Sequence, residues 1–139
     1  SVELEHAIMA HPEVVEAAHE ARLSAEDLAL VSFHLLASAL EASSRVEIGE
    51  PHAGVLLATS TLSAARAVQG SEYGLEVRWL CASALERAGS PDAEDAKAEA
   101  ASHASAVAAS IRDPRLLALF SSRPIFVQLA GRSGETAAP

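Results

Sequence analysis

The chain has 139 residues, of which half are hydrophobic and only 4% aromatic, and it carries a formal net charge of -9 at pH 7. A duplex-binding surface needs clustered basic residues, so this acidity, with one lysine and scattered arginines, excludes nucleic acid as a partner. No apolar run approaches the length of a membrane span and no signal-peptide pattern is visible, so a cytoplasmic protein without a membrane segment is predicted. The single cysteine, Cys81, excludes an internal disulfide and is predicted to be a small buried hydrophobe.

Alanine is the commonest residue and the best helix former, which predicts an all-α protein. Two short helices are predicted over 2–10 and 12–22, because His11-Pro12 stops the first and Pro12 suits the first turn of the second. Ser24 is a predicted N-cap for a long helix over 25–43. Leucines and valines recur in that helix at the spacing of one buried face.

Glycine and proline residues indicate where the helices end in the rest of the chain. A helix over 51–69 is predicted to end at Gly70, and a helix over 72–88 at Gly89-Ser90-Pro91. A sixth, alanine-rich helix over 92–112 ends at Asp113-Pro114. Residues 114–130 are predicted to form one or two capping helices, and residues 131–139 a disordered tail. Residues 1–130 are therefore predicted to form a single helical domain.

One pentapeptide, Ala-Ser-Ala-Leu-Glu, occurs at residues 37–41 and again at residues 82–86. The copies lie 45 residues apart (82 minus 37), within the range of about 20–50 residues that marks stacked helix-pair repeats. Each copy lies near the end of a predicted helix and is followed by a turn and a second alanine-rich helix. The pattern predicts two equivalent helix pairs over 25–112.

These features resemble the tetratricopeptide-repeat superfamily in a degenerate form with lengthened helices. The second helices end in Ala64-Ala65-Arg66-Ala67-Val68 and in residues 104–111. The following Ile111-Arg112-Asp113-Pro114-Arg115-Leu116-Leu117 is similar to the closing helix of such arrays in large bacterial signalling proteins. The resemblance implies antiparallel helix hairpins stacked as a short right-handed superhelix with a C-terminal capping helix. The 45-residue spacing exceeds the roughly 34 residues usual in the family.

The resemblance also implies which side chains face inward. With Gly89 at the end of the first helix of a repeat, the family's signature positions fall on Arg78, Cys81, Ala82 and Leu85. The corresponding positions of the first repeat are Phe33, Leu36, Ala37 and Leu40. Arg78 departs from the pattern, because a bulky apolar residue is usual there, and Ser44 replaces the glycine.

The same alignment implies a groove that takes up a partner's peptide or helix. Its predicted partner-binding residues are His34, Ser38, Glu41, Glu76, Trp79, Ser83, Glu86 and Arg87. Trp79 would supply apolar area and Arg87 a fork for a carboxylate. The alternatives are that Trp79 belongs to the core and that Glu86 and Arg87 belong to a solvated face.

The alternative hypothesis is a metal-binding helical bundle of the di-iron type. Glu3 with His6, and Glu16 with His19, both have the Glu-x-x-His spacing that di-iron four-helix bundles use. The two motifs start only 13 residues apart, with Pro12 between them, whereas such bundles place them on long helices far apart in sequence. No nucleophile motif or phosphate-binding loop is present in the sequence.

The sequence therefore predicts a non-enzymatic protein-protein interaction module without a cofactor, expected to belong to a bacterial signalling or regulatory protein. Homo-oligomerisation through the apolar residues of 114–130 is left open.

Overall fold

The computed structural model describes residues 24–125, which fold into five α-helices. They are α1 (Ala25–Glu47), α2 (Pro51–Arg66), α3 (Gly74–Arg87), α4 (Ala93–Ser110) and α5 (Pro114–Ser121). No strand occurs among these residues, and the all-α prediction is confirmed for them. The helices predicted over 2–10 and 12–22, and the tail over 131–139, lie outside the described residues.

Helix α1 begins as predicted and ends later than predicted. The Ser24 hydroxyl accepts a hydrogen bond from the Asp27 backbone N–H at 3.1 Å, which is the expected N-cap interaction. The helix continues through Ser43 and Ser44 to Glu47, because serine disfavours but does not break a packed helix. It ends before Gly49, whose φ of +89° lies in the left-handed region that glycine adopts without strain.

The other helices are somewhat shorter than predicted. Helix α2 ends at Arg66 because the N–H groups of Ala67 and Val68 bond to carbonyls three residues back, which tightens the chain before Gly70. Helix α4 ends at Ser110, where Ile111 is already extended ahead of Asp113-Pro114. The predicted capping segment begins at Pro114, but its first helix, α5, is over by Ser121.

The helices form two antiparallel hairpins that pack side by side. Helix α1 packs on α2, and α3 packs on α4; α3 also packs on both α1 and α2. Ser71, just before α3, donates to Ser32 in the first half of α1 at 2.9 Å, whereas Arg87 in the last turn of α3 donates to Ser43 near the end of α1. Helices α1 and α3 therefore run parallel, and the shorter α3 lies beside the later part of α1, from about the level of Ser32 to that of Ser43.

Small side chains make this packing close. The main core contains the buried large residues Leu35, Leu57, Leu62, Val77 and Leu85, and most of its other members are alanines. Gly54 lets α2 approach α1, because a Cβ there would lie 3.0 Å from the Ala42 carbonyl oxygen. A second cluster, made of Leu75, Ala100 and Ala104, joins α3 to α4. Phe120 from α5 packs against this second cluster.

The two pentapeptides do not occupy equivalent positions, which corrects the alignment made from sequence. Leu85 is 1% exposed, whereas its counterpart Leu40 is 52% exposed. The signature residues of the second repeat, from Arg78 to Leu85, are buried as expected, but Phe33 is 56% exposed. Each residue of a helix is rotated by about 100° from the previous one, so a small offset in alignment turns a buried face outward.

Candidate partner-binding face

Five of the eight predicted partner-binding residues lie on the outer face of α3. Ser83 follows Glu76 by seven residues and Arg87 follows Ser83 by four, a spacing that keeps them on one side of the helix. Trp79 and Glu86 lie beside that row. The opposite side of α3 holds the fully buried Val77, Cys81 and Ala84. The five residues are half-buried or exposed, and the structure brings them together as a single surface, here called the α3 face (Glu76, Trp79, Ser83, Glu86 and Arg87).

Charged residues of the α3 face have partners within the chain. Glu76 forms an ion pair with Arg123, and Glu86 forms one with Lys97. Nη2 of Arg87 donates to the hydroxyl and, at 3.5 Å, to the carbonyl of Ser43. A guanidinium carries five N–H donors, and the described bonds of Arg87 use only those on Nη2. Donors therefore remain for a carboxylate that approaches from solvent.

Trp79 lies at the edge of this face and also touches the interior. It is half-buried and packs against the second cluster of Leu75, Ala100 and Ala104. Part of the indole thus contributes to the packing of α3 on α4. The exposed part remains available as the largest apolar surface of the α3 face.

The three predicted residues on α1 do not join the α3 face. Ser38 is only 3% exposed, so a partner cannot reach it in this arrangement. Glu41 accepts a hydrogen bond from Arg45 at 2.9 Å one turn away, and partial burial lowers the pKa of His34. By helical spacing these residues lie on a flank of α1 turned away from Ser32 and Ser43, which meet α3. A contact between this flank and a partner stays a prediction.

Sequence reasoning missed a charged cluster where α2, α3 and α4 meet. Arg66 donates to both carboxylate oxygens of Glu99 through Nε and Nη2, at distances of 2.6 to 3.1 Å. Arg78, with its side chain 11% exposed, donates to the Gly74 carbonyl at 3.0 Å and has its Nε 3.6 Å from Glu99. One carboxylate of α4 therefore links the two hairpins. The arginine at an inward signature position was the signal that could have revealed it.

His103 lies beside this cluster. A Cβ at Gly74 would be 3.0 Å from His103 Nε2 and 3.3 Å from Arg78 Nη1. Partial burial, and then the charge of Arg78, lower the pKa of His103, while Glu99 acts in the opposite direction. The folded protein therefore favours neutral His103, whereas the unfolded chain binds a proton near the ordinary value of 6.5.

This difference predicts a pH effect on stability. The stability that neutral His103 contributes to the folded protein is fully present above about pH 6.5. It is lost as the pH falls from there towards the lowered pKa that His103 has in the folded protein, because only the unfolded state binds a proton in that range. Thermal unfolding between pH 7.5 and 5 should show a smaller fall in Tm for His103→Gln than for the wild type. The exposed His52→Gln variant is the control and should follow the wild type. An equal fall in Tm with pH in all three proteins would contradict the prediction.

Cys81 does not have the environment of a reactive thiol. It is fully buried, and burial raises its pKa to about 12. A thiolate, which is the nucleophilic form, is therefore disfavoured at neutral pH. The prediction of a small buried hydrophobe at this position is confirmed.

The metal-binding alternative finds no centre in the described part of the chain. Residues 24–125 contain no group of three or more histidine, cysteine, aspartate or glutamate side chains placed to hold a metal ion. The two Glu-x-x-His motifs, Glu3 with His6 and Glu16 with His19, lie outside that range. No helix within residues 24–125 is both long and apolar enough to cross a membrane.

Comparison with protein-family models, with curated proteins and with solved structures finds no match for this chain.

Proposed function

We propose that this chain is a non-enzymatic interaction module, tetratricopeptide-like in architecture, which binds a peptide or helix of a partner protein on the α3 face. The observation that carries the proposal is the parallel arrangement of α1 and α3, which places the first helices of the two hairpins side by side. In stacked-hairpin proteins, successive first helices form an extended binding surface. The outer sides of α1 and α3 are the corresponding surface here.

The side chains of the α3 face favour a particular ligand chemistry. Trp79 offers apolar area and a ring N–H, and Arg87 offers unused guanidinium donors about 12 Å further along α3. An extended peptide with an apolar side chain and a carboxylate about three or four residues apart fits this pair. Glu76 and Glu86, already paired with Arg123 and Lys97, border the site and disfavour a ligand with further acidic groups at those positions.

A place in a cytoplasmic bacterial signalling protein, and self-association, also remain proposals. Leu116 and Leu119 on α5 are 57% and 66% exposed, which is the surface that a second copy would cover. A helix this short buries its apolar side chains only against another element. Sedimentation of the purified chain tests this proposal directly.

The binding proposal predicts a separable effect of two side chains. Peptides selected from a displayed random library on the wild-type protein should carry an acidic residue, and their Kd should rise about tenfold or more in Arg87→Gln, because a hydrogen bond between charged groups contributes roughly 1.5–3 kcal/mol. Trp79→Ala should weaken the same peptides. Titration by fluorescence anisotropy with a labelled peptide measures both effects.

Two controls separate binding from folding. Arg112→Gln removes an exposed arginine between α4 and α5 and should leave the Kd unchanged. Far-UV circular dichroism should show wild-type helicity in Arg87→Gln. The α3 face would be ruled out as the site if the library yields no binding peptides, or if the Kd of the selected peptides is unchanged in Arg87→Gln.

A further inference from the structure

Helix α1 presents a stripe of apolar side chains to solvent. Leu30, Phe33 and Leu40 are 55%, 56% and 52% exposed, respectively. The half-buried Ala37 lies between Phe33 and Leu40. The spacing of three, four and three residues keeps these side chains on one side of the helix over about 15 Å, and they are here called the α1 stripe (Leu30, Phe33, Ala37 and Leu40). Large apolar side chains grouped in this way are typical of a protein-protein contact.

The α1 stripe lies opposite the side of α1 that packs on α2. A Cβ at Gly54 of α2 would lie 3.0 Å from the Ala42 carbonyl oxygen, and Leu35, on the same side of α1 as Ala42, is 1% exposed. At about 100° per residue, Leu35 and Ala42 lie about half a turn away from the middle of the stripe. Ser32 and Ser43, which meet α3, lie on a third side. Within residues 24–125, α1 packs extensively only on α2 and α3, so no helix of this range covers the stripe.

Two exposed carboxylates flank the α1 stripe. Glu26 lies one helical turn before Leu30, and Glu47 lies two turns after Leu40. Among residues 24–125, neither glutamate side chain forms a hydrogen bond or an ion pair. The chain as a whole is also acidic, with a formal net charge of -9 at pH 7. Lysine or arginine residues beside the apolar residues of a partner would complement this charge.

Charge disfavours the other surfaces that could cover the stripe. The two glutamates would repel an anionic membrane or a nucleic acid. A second copy of the chain would bring like charges together. A parallel pair of α1 helices would place each glutamate beside its own counterpart, and an antiparallel pair centred on the stripe would bring Glu26 within about one turn of Glu47 of the other copy. Arg45, the basic residue near that end of α1, already pairs with Glu41 and Glu50.

We propose that the α1 stripe binds an amphipathic helix of a partner protein, with apolar residues at the same spacing of three and four and with lysine or arginine beside them. Two helices with this spacing interdigitate their side chains, which the period of two of a strand does not allow. Glu26 and Glu47 are 21 residues apart (47 minus 26), about 32 Å along the helix, so a partner helix of about that length meets both. The inference goes beyond the proposed function, because it uses no residue of the α3 face and requires a basic ligand.

Fluorescence anisotropy with a defined peptide tests the proposal. The probe is a labelled peptide of about 21 residues, made of three heptads with leucine at positions a and d and lysine at positions e and g, whose like charges oppose self-pairing. At low salt, its Kd for the full chain should be at least about tenfold lower than that of the matched peptide with glutamate at e and g. The difference should shrink as salt is added.

Two double variants assign this binding to the stripe and to its flanking charges. Phe33→Ser with Leu40→Ser should raise the Kd of the lysine peptide about tenfold or more, since two apolar contacts are lost. Glu26→Gln with Glu47→Gln should raise it about threefold and make it less dependent on salt. All four side chains are exposed, so far-UV circular dichroism should show wild-type helicity in both variants.

Leu56→Ser on α2 is the matched control, because Leu56 is 55% exposed, and it should leave the Kd within about twofold of the wild type. Arg87→Gln should also leave it unchanged, which separates this proposal from binding at the α3 face. No detectable binding of the lysine peptide, equal affinity for the two peptides, or an equal loss in Leu56→Ser would overturn the proposal. A doubled sedimentation mass of the chain alone, returning to the monomer value in Phe33→Ser with Leu40→Ser, would also overturn it by assigning the stripe to a second copy.

Discussion

Replacing Leu85 by alanine is expected to lower the free energy of unfolding by about 3 kcal/mol, because truncating a fully buried leucine loses its burial and leaves a cavity. Leu85 is 1% exposed and belongs to the main core. Urea unfolding followed by circular dichroism measures the change, provided that the slope against denaturant concentration stays the same as in the wild type.

The chain offers a matched control in its second copy of the same pentapeptide. Leu40 stands in the same Ala-Ser-Ala-Leu-Glu context but is 52% exposed. Leu40→Ala should cost less than about 1 kcal/mol, since little burial is lost and alanine favours the helix. Equal costs for the two variants would mean that the two pentapeptides occupy equivalent faces after all.

Replacing Gly54 by alanine is expected to destabilise the protein by about 1–3 kcal/mol, although alanine in a helix is normally favoured over glycine by about 1 kcal/mol. A Cβ at this position would lie 2.4 Å from Val46 Cγ2, 3.0 Å from the Ala42 carbonyl oxygen and 3.2 Å from the Val46 nitrogen. Two of these atoms belong to the backbone of α1, so the hairpin must open to make room. Thermal and urea unfolding measure the loss.

Gly74→Ala is the control for this prediction. Its new Cβ would meet only the ends of the His103 and Arg78 side chains, at 3.0 and 3.3 Å, and these can move. The change should therefore stay within about 1 kcal/mol of the wild type. Val46→Ala should partly restore the stability of Gly54→Ala in the double variant. Independent, additive effects of positions 46 and 54 would contradict the close contact between them.

The charged cluster around Glu99 differs in kind from these apolar contacts. Glu99 joins Arg66 of the first hairpin to Arg78 of the second, and the three side chains are exposed by 28%, 53% and 11%, respectively. Pairs of this exposure contribute modestly to stability, because water screens them. The pair of Arg66 and Glu99 instead provides a polar link between α2 and α4, two helices that do not pack extensively on each other.

Composition and spacing determined the class of the fold. Alanine content, the Ser24 cap, the glycines at 70 and 89 and the proline at 114 specify local backbone conformations, and such signals act within a few residues. The five described helices accordingly lie where the pattern predicts them, with ends displaced by at most four residues at positions 25–112. In the predicted capping segment, α5 ends at Ser121 ahead of Pro124, and the part of that segment from residue 126 onward lies outside the described residues.

Only tertiary packing determined which side of each helix is buried. The repeated pentapeptide predicted that Leu40 and Leu85 are equivalent, yet one is exposed and the other buried. In an alanine-rich helix several faces are almost equally apolar, so the pattern alone does not select the buried one. The selection came from neighbours far apart in sequence, such as Gly54 against Ala42 and Arg66 against Glu99. Contacts of that kind depend on three-dimensional position, which residue order by itself does not contain.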